Sequence, residues 1–444
     1  MRCIGRCIGK WLLATVVATV ATAVMAAGAA APADQIARGR YLAGIANCAA
    51  CHTNSSGGGA PMAGGLPLHT GAGTVYSTNI TPDAQTGLGN YSFEDFERAV
   101  RRGVARDGRH LYPAMPYPSY ARMTRDDVAA LYAYLRAEVK PVRQANPAAE
   151  MRWPYSMRWL LVPWNWLNLR DDPVRADASK DAAWNRGAYV VQAVAHCGAC
   201  HTPRGPLYGE RGIDERSRHF LAGASVEGWS ATNLTGDQVT GLGAWSKADV
   251  VEYLHTGRNG HATSFGPMST VIAASTQHMA PADLDAVATY LKSLPGARGE
   301  TQPFRHDPAV TAQLEQGRFD AAGARQYATF CMPCHNASGR GFARVFPPLA
   351  GNPTVADPDP ASLVNLLLEG AVTARVSTAP TDYHMPGYGW TMEDQELANV
   401  LTFIRRSWGN RAAPVTEAAV AARRHELGTP APEPKAPAMP ATPR

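Results

Sequence analysis

The sequence predicts an all-α protein of three tandem units, and three observations carry that prediction. The pattern C-x-x-C-H occurs three times, at Cys48 to His52, Cys197 to His201 and Cys331 to His335. A segment that reads as helical precedes each one: Arg38-Gly39-Arg40-Tyr41, Arg186-Gly187-Ala188-Tyr189, and a looser Gly323 to Tyr327. Each unit then closes on an amphipathic helix with apolar residues at i, i+3, i+4 and i+7. These are Val128, Leu131, Tyr132 and Leu135, then Leu284, Val287, Ala288 and Leu291, then Leu397, Val400, Leu401 and Ile404.

With 444 residues, 45% hydrophobic and 18% charged, the chain has the make-up of an ordinary globular protein, which excludes collagenous, prion-like and wholly disordered classes. Lys and Arg number 42 against 37 Asp and Glu, a net +5 spread along the chain, so nucleic acid is not an expected partner. The first ten residues hold Arg2, Arg6 and Lys10 and no acid; Trp11 to Ala27 is apolar, and Ala29 and Ala31 suit an A-x-A cleavage site. Residues 1–31 therefore read as a secretory signal peptide that leaves with Cys3 and Cys7. The expected mature chain is exported, keeps six of the eight cysteines, and is soluble or peripherally attached to a membrane.

On one helical turn, residues i, i+3 and i+4 share a face, so two thiols can reach the two vinyl groups of one porphyrin while the next residue aims an imidazole at its iron. Composition alone predicts about 0.004 such patterns, so three are not chance. A zinc ribbon needs paired C-x-x-C elements some 15 to 20 residues apart. Here the first cysteines are 149 and 134 residues apart, and zinc is disfavoured. A thioredoxin-like pair expects one motif in a βαβ setting, which these helical flanks do not offer. The motifs thus predict three covalently attached haem c groups, held by Cys48, Cys51, Cys197, Cys200, Cys331 and Cys334, with His52, His201 and His335 on iron.

Between motif and closing helix each unit offers a methionine beside proline: Met115 in Tyr-Pro-Ala-Met-Pro-Tyr, Met268 in Phe-Gly-Pro-Met-Ser and Met385 in Tyr-His-Met-Pro-Gly-Tyr. A thioether opposite histidine completes a low-spin iron and raises its potential, and proline-stiffened loops can hold sulfur in place. Met123, Met279 and Met392, at the starts of the closing helices, read as packing residues, Met123 as a hydrophobic staple to Val128. His196, His261 and His384 are the alternative ligands. The first two units also share Thr78-Asn79-Ile80-Thr81 with Thr232-Asn233-Leu234-Thr235, and Thr86-Gly87-Leu88-Gly89 with Thr240-Gly241-Leu242-Gly243, both offset by 154. Asn79 and Asn233 match the glycosylation sequon, but a loop structured against the haem is the preferred reading.

The expected division is 1–31 signal peptide, 32–145 first unit, 146–180 Trp-rich linker, 181–295 second unit, 296–312 linker, 313–412 third unit, and 413–444 a short helix with a Pro/Ala-rich disordered tail. The first linker holds Trp153, Trp159, Trp164 and Trp166, suited either to packing across the junction or to docking a partner or membrane.

From about residue 35 to 410 the chain resembles the triheme cytochrome c subunit of bacterial membrane-bound alcohol, gluconate, fructose, sorbitol and FAD-dependent glucose dehydrogenases. The resemblance rests on the three C-x-x-C-H motifs with Tyr76-Ser-Thr-Asn-Ile-Thr-Pro82, Tyr112-Pro-Ala-Met-Pro-Tyr117, Phe346-Pro-Pro-Leu-Ala-Gly-Asn352 and Ser407-Trp-Gly-Asn410. It implies three tandem cytochrome c-type domains, with Met115, Met268 and Met385 as axial ligands. It also implies a catalytic FAD or PQQ dehydrogenase subunit as partner, room for a small third subunit, and ubiquinone or a terminal oxidase as acceptor. The expected place is the periplasm, at the outer face of the cytoplasmic membrane. Some members attach through a C-terminal amphipathic helix, where this chain ends Pro-rich. The chain then relays electrons in the respiratory chain and has no substrate site of its own. The alternatives are a multihaem peroxidase, which needs an iron with an open sixth position, and a cytochrome subunit of an oxidase or reductase.

Overall fold

The computed structural model describes residues 31–379 and 381–432. The signal-peptide reading, Cys3, Cys7 and the end of the Pro/Ala-rich tail lie outside them.

The all-α expectation is overturned. The structure is 41% helical and carries three small antiparallel sheets among the described residues. In the first, β1 (Pro67–Thr70) pairs with β2 (Gly73–Tyr76), and β2 with β3 (Glu150–Met151). In the second, β4 (Ala224–Val226) pairs with β5 (Trp229–Ala231) across Glu227 and Gly228, both at positive φ as a tight hairpin turn requires. In the third, β6 (Gly370–Val372) pairs with β7 (His384–Pro386). Strands of two to four residues are too short to show an alternating pattern, which is why helical periodicity dominated the sequence.

The helical frame repeats. An opening helix, Ala33–Ile45 in the first unit and Ala182–Tyr189 in the second, crosses the closing helix, Arg125–Ala137 or Pro281–Lys292. In the third unit Ala324–Gln326 crosses Asp394–Arg406. The shared glycine explains the closeness. A Cβ on Gly39 would overlap the Ala130 carbonyl, one on Gly187 the Ala286 carbonyl, and one on Gly323 the Asn399 carbonyl. Thr124 caps the first closing helix, and a Glu393/Glu396 capping box starts the third. Met123 and Val128 are both fully buried in one cluster, as a staple would be.

The first two units share one hydrophobic core, running from Leu42 and Val128 through Val191 to Leu284 and Leu291. Their junction is reciprocal. Tyr189 donates to Asp127 at 2.6 Å and Tyr41 donates to Asp283 at 2.7 Å. Each hydroxyl also accepts a main-chain N–H at the start of the other unit's closing helix, Thr124 at 3.2 Å and Ala280 at 2.9 Å. Arg38 pairs with Asp127 and Arg186 with Asp283, so each buried carboxylate is held by an arginine of its own unit and a tyrosine of the other. The third unit has a separate core around Leu363, Leu397, Leu401 and Trp408. It docks on β5, where Ser362 accepts from the Ser230 N–H and donates to the Ser230 carbonyl at 2.9 and 3.0 Å. The Glu417–Leu427 helix closes it, with Arg424 paired to Asp394.

The Trp-rich linker is ordered, with a 3-10 turn at Arg158–Leu160 leading into the helix Leu161–Asn168. Trp164 packs across the junction, donating to the Leu207 carbonyl at 2.7 Å with its ring edge-on to Tyr117.

Candidate functional site

Each C-x-x-C-H motif forms a short helix: Cys48–His52, Gly198–His201 and Met332–His335. In the first two units the residue before the first cysteine, Asn47 or His196, is left-handed, breaking the opening helix so that the motif starts a new turn. The second and third opening helices widen into a π turn first, Val190–Val194 and Tyr327–Cys331. None of the six cysteines forms a disulfide among the described residues. Burial pushes the thiols of Cys48, Cys197 and Cys331 up to about 12. Desolvation, with the Glu227 and Glu210 carboxylates and Cys51 adding and Arg204 opposing, raises Cys200 to about 11.

The three histidines share one arrangement. His52 Nδ1 lies 2.6 Å from the Thr78 carbonyl, His201 Nδ1 2.7 Å from Thr232 and His335 Nδ1 2.9 Å from Pro347. A carbonyl oxygen can only accept, so Nδ1 carries the proton. Burial lowers all three imidazole pKa values below the ordinary range, against the opposing pull of that hydrogen bond, and keeps the rings neutral. Nε2 is left with its lone pair, oriented by the main chain, as a metal-ligating imidazole requires.

The repeated motifs of the first two units hold those carbonyls. Asn79, next to Thr78, is buried; its Oδ1 accepts from the Thr81 N–H and hydroxyl at 2.9 and 2.7 Å, and its amide donates to the Val142 carbonyl at 2.8 Å. Asn233 makes the same pair of bonds to Thr235, at 2.8 and 2.7 Å, and donates to Asp237 at 2.8 Å. Leu88 and Leu242 then return an N–H to the Thr81 and Thr235 carbonyls at 2.7 and 2.8 Å. The sequons are internal clips, not glycan acceptors. The three accepting carbonyls were missed by sequence reasoning, because a main-chain acceptor has no side-chain signature; for Thr78 and Thr232 the offset of 154 was the available signal, and for Pro347 there was none.

The profile of the family described as Cytochrome c matches residues 36–137, 185–295 and 321–408. The chain belongs to the cytochrome c family. It is 45% identical to the gluconate 2-dehydrogenase cytochrome c subunit of Pantoea cypripedii, over 88% of this chain and 90% of that one. It is 42% identical to the alcohol dehydrogenase (quinone) cytochrome c subunit of Gluconobacter oxydans (strain 621H), over 89% and 83%. It is 37% identical to the fructose dehydrogenase cytochrome subunit of Gluconobacter japonicus, over 88% and 83%. Family membership carries covalently bound haem c and an electron-transfer role. The residues present fit that group: thiols outside any disulfide beside a neutral imidazole whose Nδ1 is held by a carbonyl and whose Nε2 is free.

The cytochrome's methionines fall into two sets. Met123, Met279 and Met392 are buried in the cores at 0%, 6% and 2% exposure. Met115, Met268 and Met385 are only partly buried. Met115 is on a turn, but Met268 lies in the first turn of the helix Gly266–Ala274 and Met385 on β7, so proline stiffens a helix start and a strand there rather than loops. Among the alternative histidines, His196 places Nε2 3.2 Å from the Ala46 carbonyl, His261 stacks on Trp245 at 5.2 Å, and His384 is exposed.

Proposed function

We propose that this cytochrome is the triheme electron-transfer subunit of a membrane-bound dehydrogenase complex. The observation that carries this reading is the threefold recurrence of a carbonyl-anchored histidine beside a cysteine pair. The names of the relatives, subunits of gluconate, quinone alcohol and fructose dehydrogenases, support the partner class. In this reading the units 32–145, 181–295 and 313–412 each hold one haem c through Cys48 and Cys51, Cys197 and Cys200, or Cys331 and Cys334. His52, His201 and His335, together with Met115, Met268 and Met385, would be the protein ligands of its iron. When bound, haem c supplies reversible one-electron storage at a potential raised by the thioether. The chain's own residues do the positioning: Thr78, Thr232 and Pro347 fix each imidazole plane, and the shared core fixes the first two units against each other.

The donor is a catalytic subunit of the FAD or PQQ type, with a small third subunit as a further component, and the acceptor is ubiquinone or a terminal oxidase. Cleavage after residue 31 would leave the chain in the periplasm, at the outer face of the cytoplasmic membrane. Intact mass under denaturing conditions tests the stoichiometry: three porphyrins on one chain with no alkylatable thiol. Fewer porphyrins, or reactive thiols, would refute it. The purified chain should be reduced by dithionite yet by no alcohol, sugar or sugar acid until the catalytic subunit is added, because two-electron substrate oxidation needs a flavin or quinone.

A further inference from the structure

The helix Leu161–Asn168 is amphipathic the wrong way round for a protein surface. Its amides face inward: Asn165 accepts from the Tyr117 hydroxyl at 2.7 Å and donates to the Arg102 carbonyl at 3.3 Å. Pro163, Trp166 and Leu167, on one face of the helix by their i, i+3 and i+4 spacing, are exposed, as are Trp159 just before the helix and Arg170 just after it. Trp166 is 82% and Leu167 67% exposed, and Trp153 just upstream is 80% exposed. Side chains that exposed stand proud of the surface rather than lining a concavity that a partner's side chains would fill. Residues 151–170 contain Arg152, Arg158 and Arg170 and no acid. Arg158 is turned in, its guanidinium 4.3 Å from the Tyr112 ring centroid, while Arg152 and Arg170, which flank this run in the chain, are exposed.

We propose that this stripe is a membrane-docking surface, seating Trp153, Trp159 and Trp166 in the headgroup region of an anionic phospholipid bilayer with Arg152 and Arg170 on lipid phosphates. Indoles favour the boundary between headgroups and acyl chains, and arginines beside them add attraction to anionic lipid. No helix among the described residues is long and apolar enough to cross a membrane, so docking here is in-plane. The inference deepens the proposed placement at a membrane, but its test reads lipid binding and not electron transfer, so the two can fail separately.

The test is flotation of the haem-loaded chain with vesicles of phosphatidylethanolamine and phosphatidylglycerol, and with phosphatidylcholine vesicles for comparison. The variant Trp153→Ser/Trp159→Ser/Trp166→Ser should lower partition by about tenfold or more, and Trp166→Ser alone by roughly threefold. Arg152→Gln/Arg170→Gln should lower binding to the anionic vesicles and leave phosphatidylcholine binding unchanged. Trp390→Ser, at a 71% exposed tryptophan of the third unit, should bind as the parent does. Haem absorption and thermal midpoint should be retained throughout. The proposal is overturned if the parent does not float, if the triple variant floats equally well, or if Trp390→Ser loses as much. It is also overturned if the triple variant keeps its vesicle binding and loses only its reduction by the catalytic subunit, which would make the stripe a protein-docking face.

Discussion

Two alanine substitutions in one helix should change stability in opposite directions. Gly39 and Gly44 both lie in Ala33–Ile45, and helix propensity alone favours alanine at either. At Gly44 a Cβ meets nothing within 4 Å, so Gly44→Ala should gain about 0.5 kcal/mol from the reduced freedom of the unfolded chain. At Gly39 the same atom would overlap the Ala130 carbonyl and sit 2.8 Å from Tyr134 Cβ. Neither neighbour is the far end of a flexible side chain, and the carbonyl belongs to the closing helix. Overpacking costs about 1–3 kcal/mol; taking the upper end for a main-chain obstacle and subtracting about 1 for propensity leaves Gly39→Ala less stable by about 2 kcal/mol. Guanidinium unfolding of the haem-loaded chain, followed by far-UV circular dichroism, measures both. Equal signs for the two variants, or a neutral Gly39→Ala, would refute the close crossing.

Tyr41→Phe and Tyr189→Phe should each cost about 1.5 kcal/mol in the same assay, since each removes a hydrogen bond to a buried carboxylate. Burial pushes the Asp283 carboxyl up, but hydrogen bonds from Arg186 and Tyr41 outweigh it and hold the pKa below its ordinary value. That stability is fully present above the unfolded value of about 3.9 and is lost as pH falls through the lower folded value, so Asp283→Asn should flatten the acid limb of the stability profile. An unchanged limb would remove Asp283 as its source. Met279→Ala should cost about 2–3 kcal/mol by opening a core cavity yet leave iron closed to carbon monoxide. Met268→Ala should open one iron at smaller cost, and the reverse pattern, read from carbon monoxide difference spectra, would exchange their roles.

What the sequence disclosed was local. C-x-x-C-H places its chemistry within five residues, so covalent haem attachment could be read from it directly. The closing helices were legible because each repeats its apolar period over about two turns. The hairpins at β4–β5 and β6–β7 were not, since strands of three residues give no period to read and are fixed by docking between the second and third units. Met268 looked like a loop residue because Pro267 precedes it, whereas proline in a first turn begins a helix as readily as it ends one. The repeated Arg-Gly-x-Tyr was visible but mute. Its glycine serves a contact 91 residues away, and its tyrosine reaches Asp283, 242 residues from Tyr41.

Each histidine is tethered to an oxygen that every amino acid possesses. Threonine offers that oxygen in the first and second units and proline in the third, and the bond lengths differ by only a few tenths of an ångström. No single replacement at Thr78, Thr232 or Pro347 can delete the acceptor; only a change in the path of the backbone can. The orientation of each imidazole is thereby insulated from point mutation at those positions, and the third unit could lose both shared loop motifs without loosening its imidazole. Divergence among such units should therefore collect in the side chains that steer the backbone, leaving the tether itself untouched.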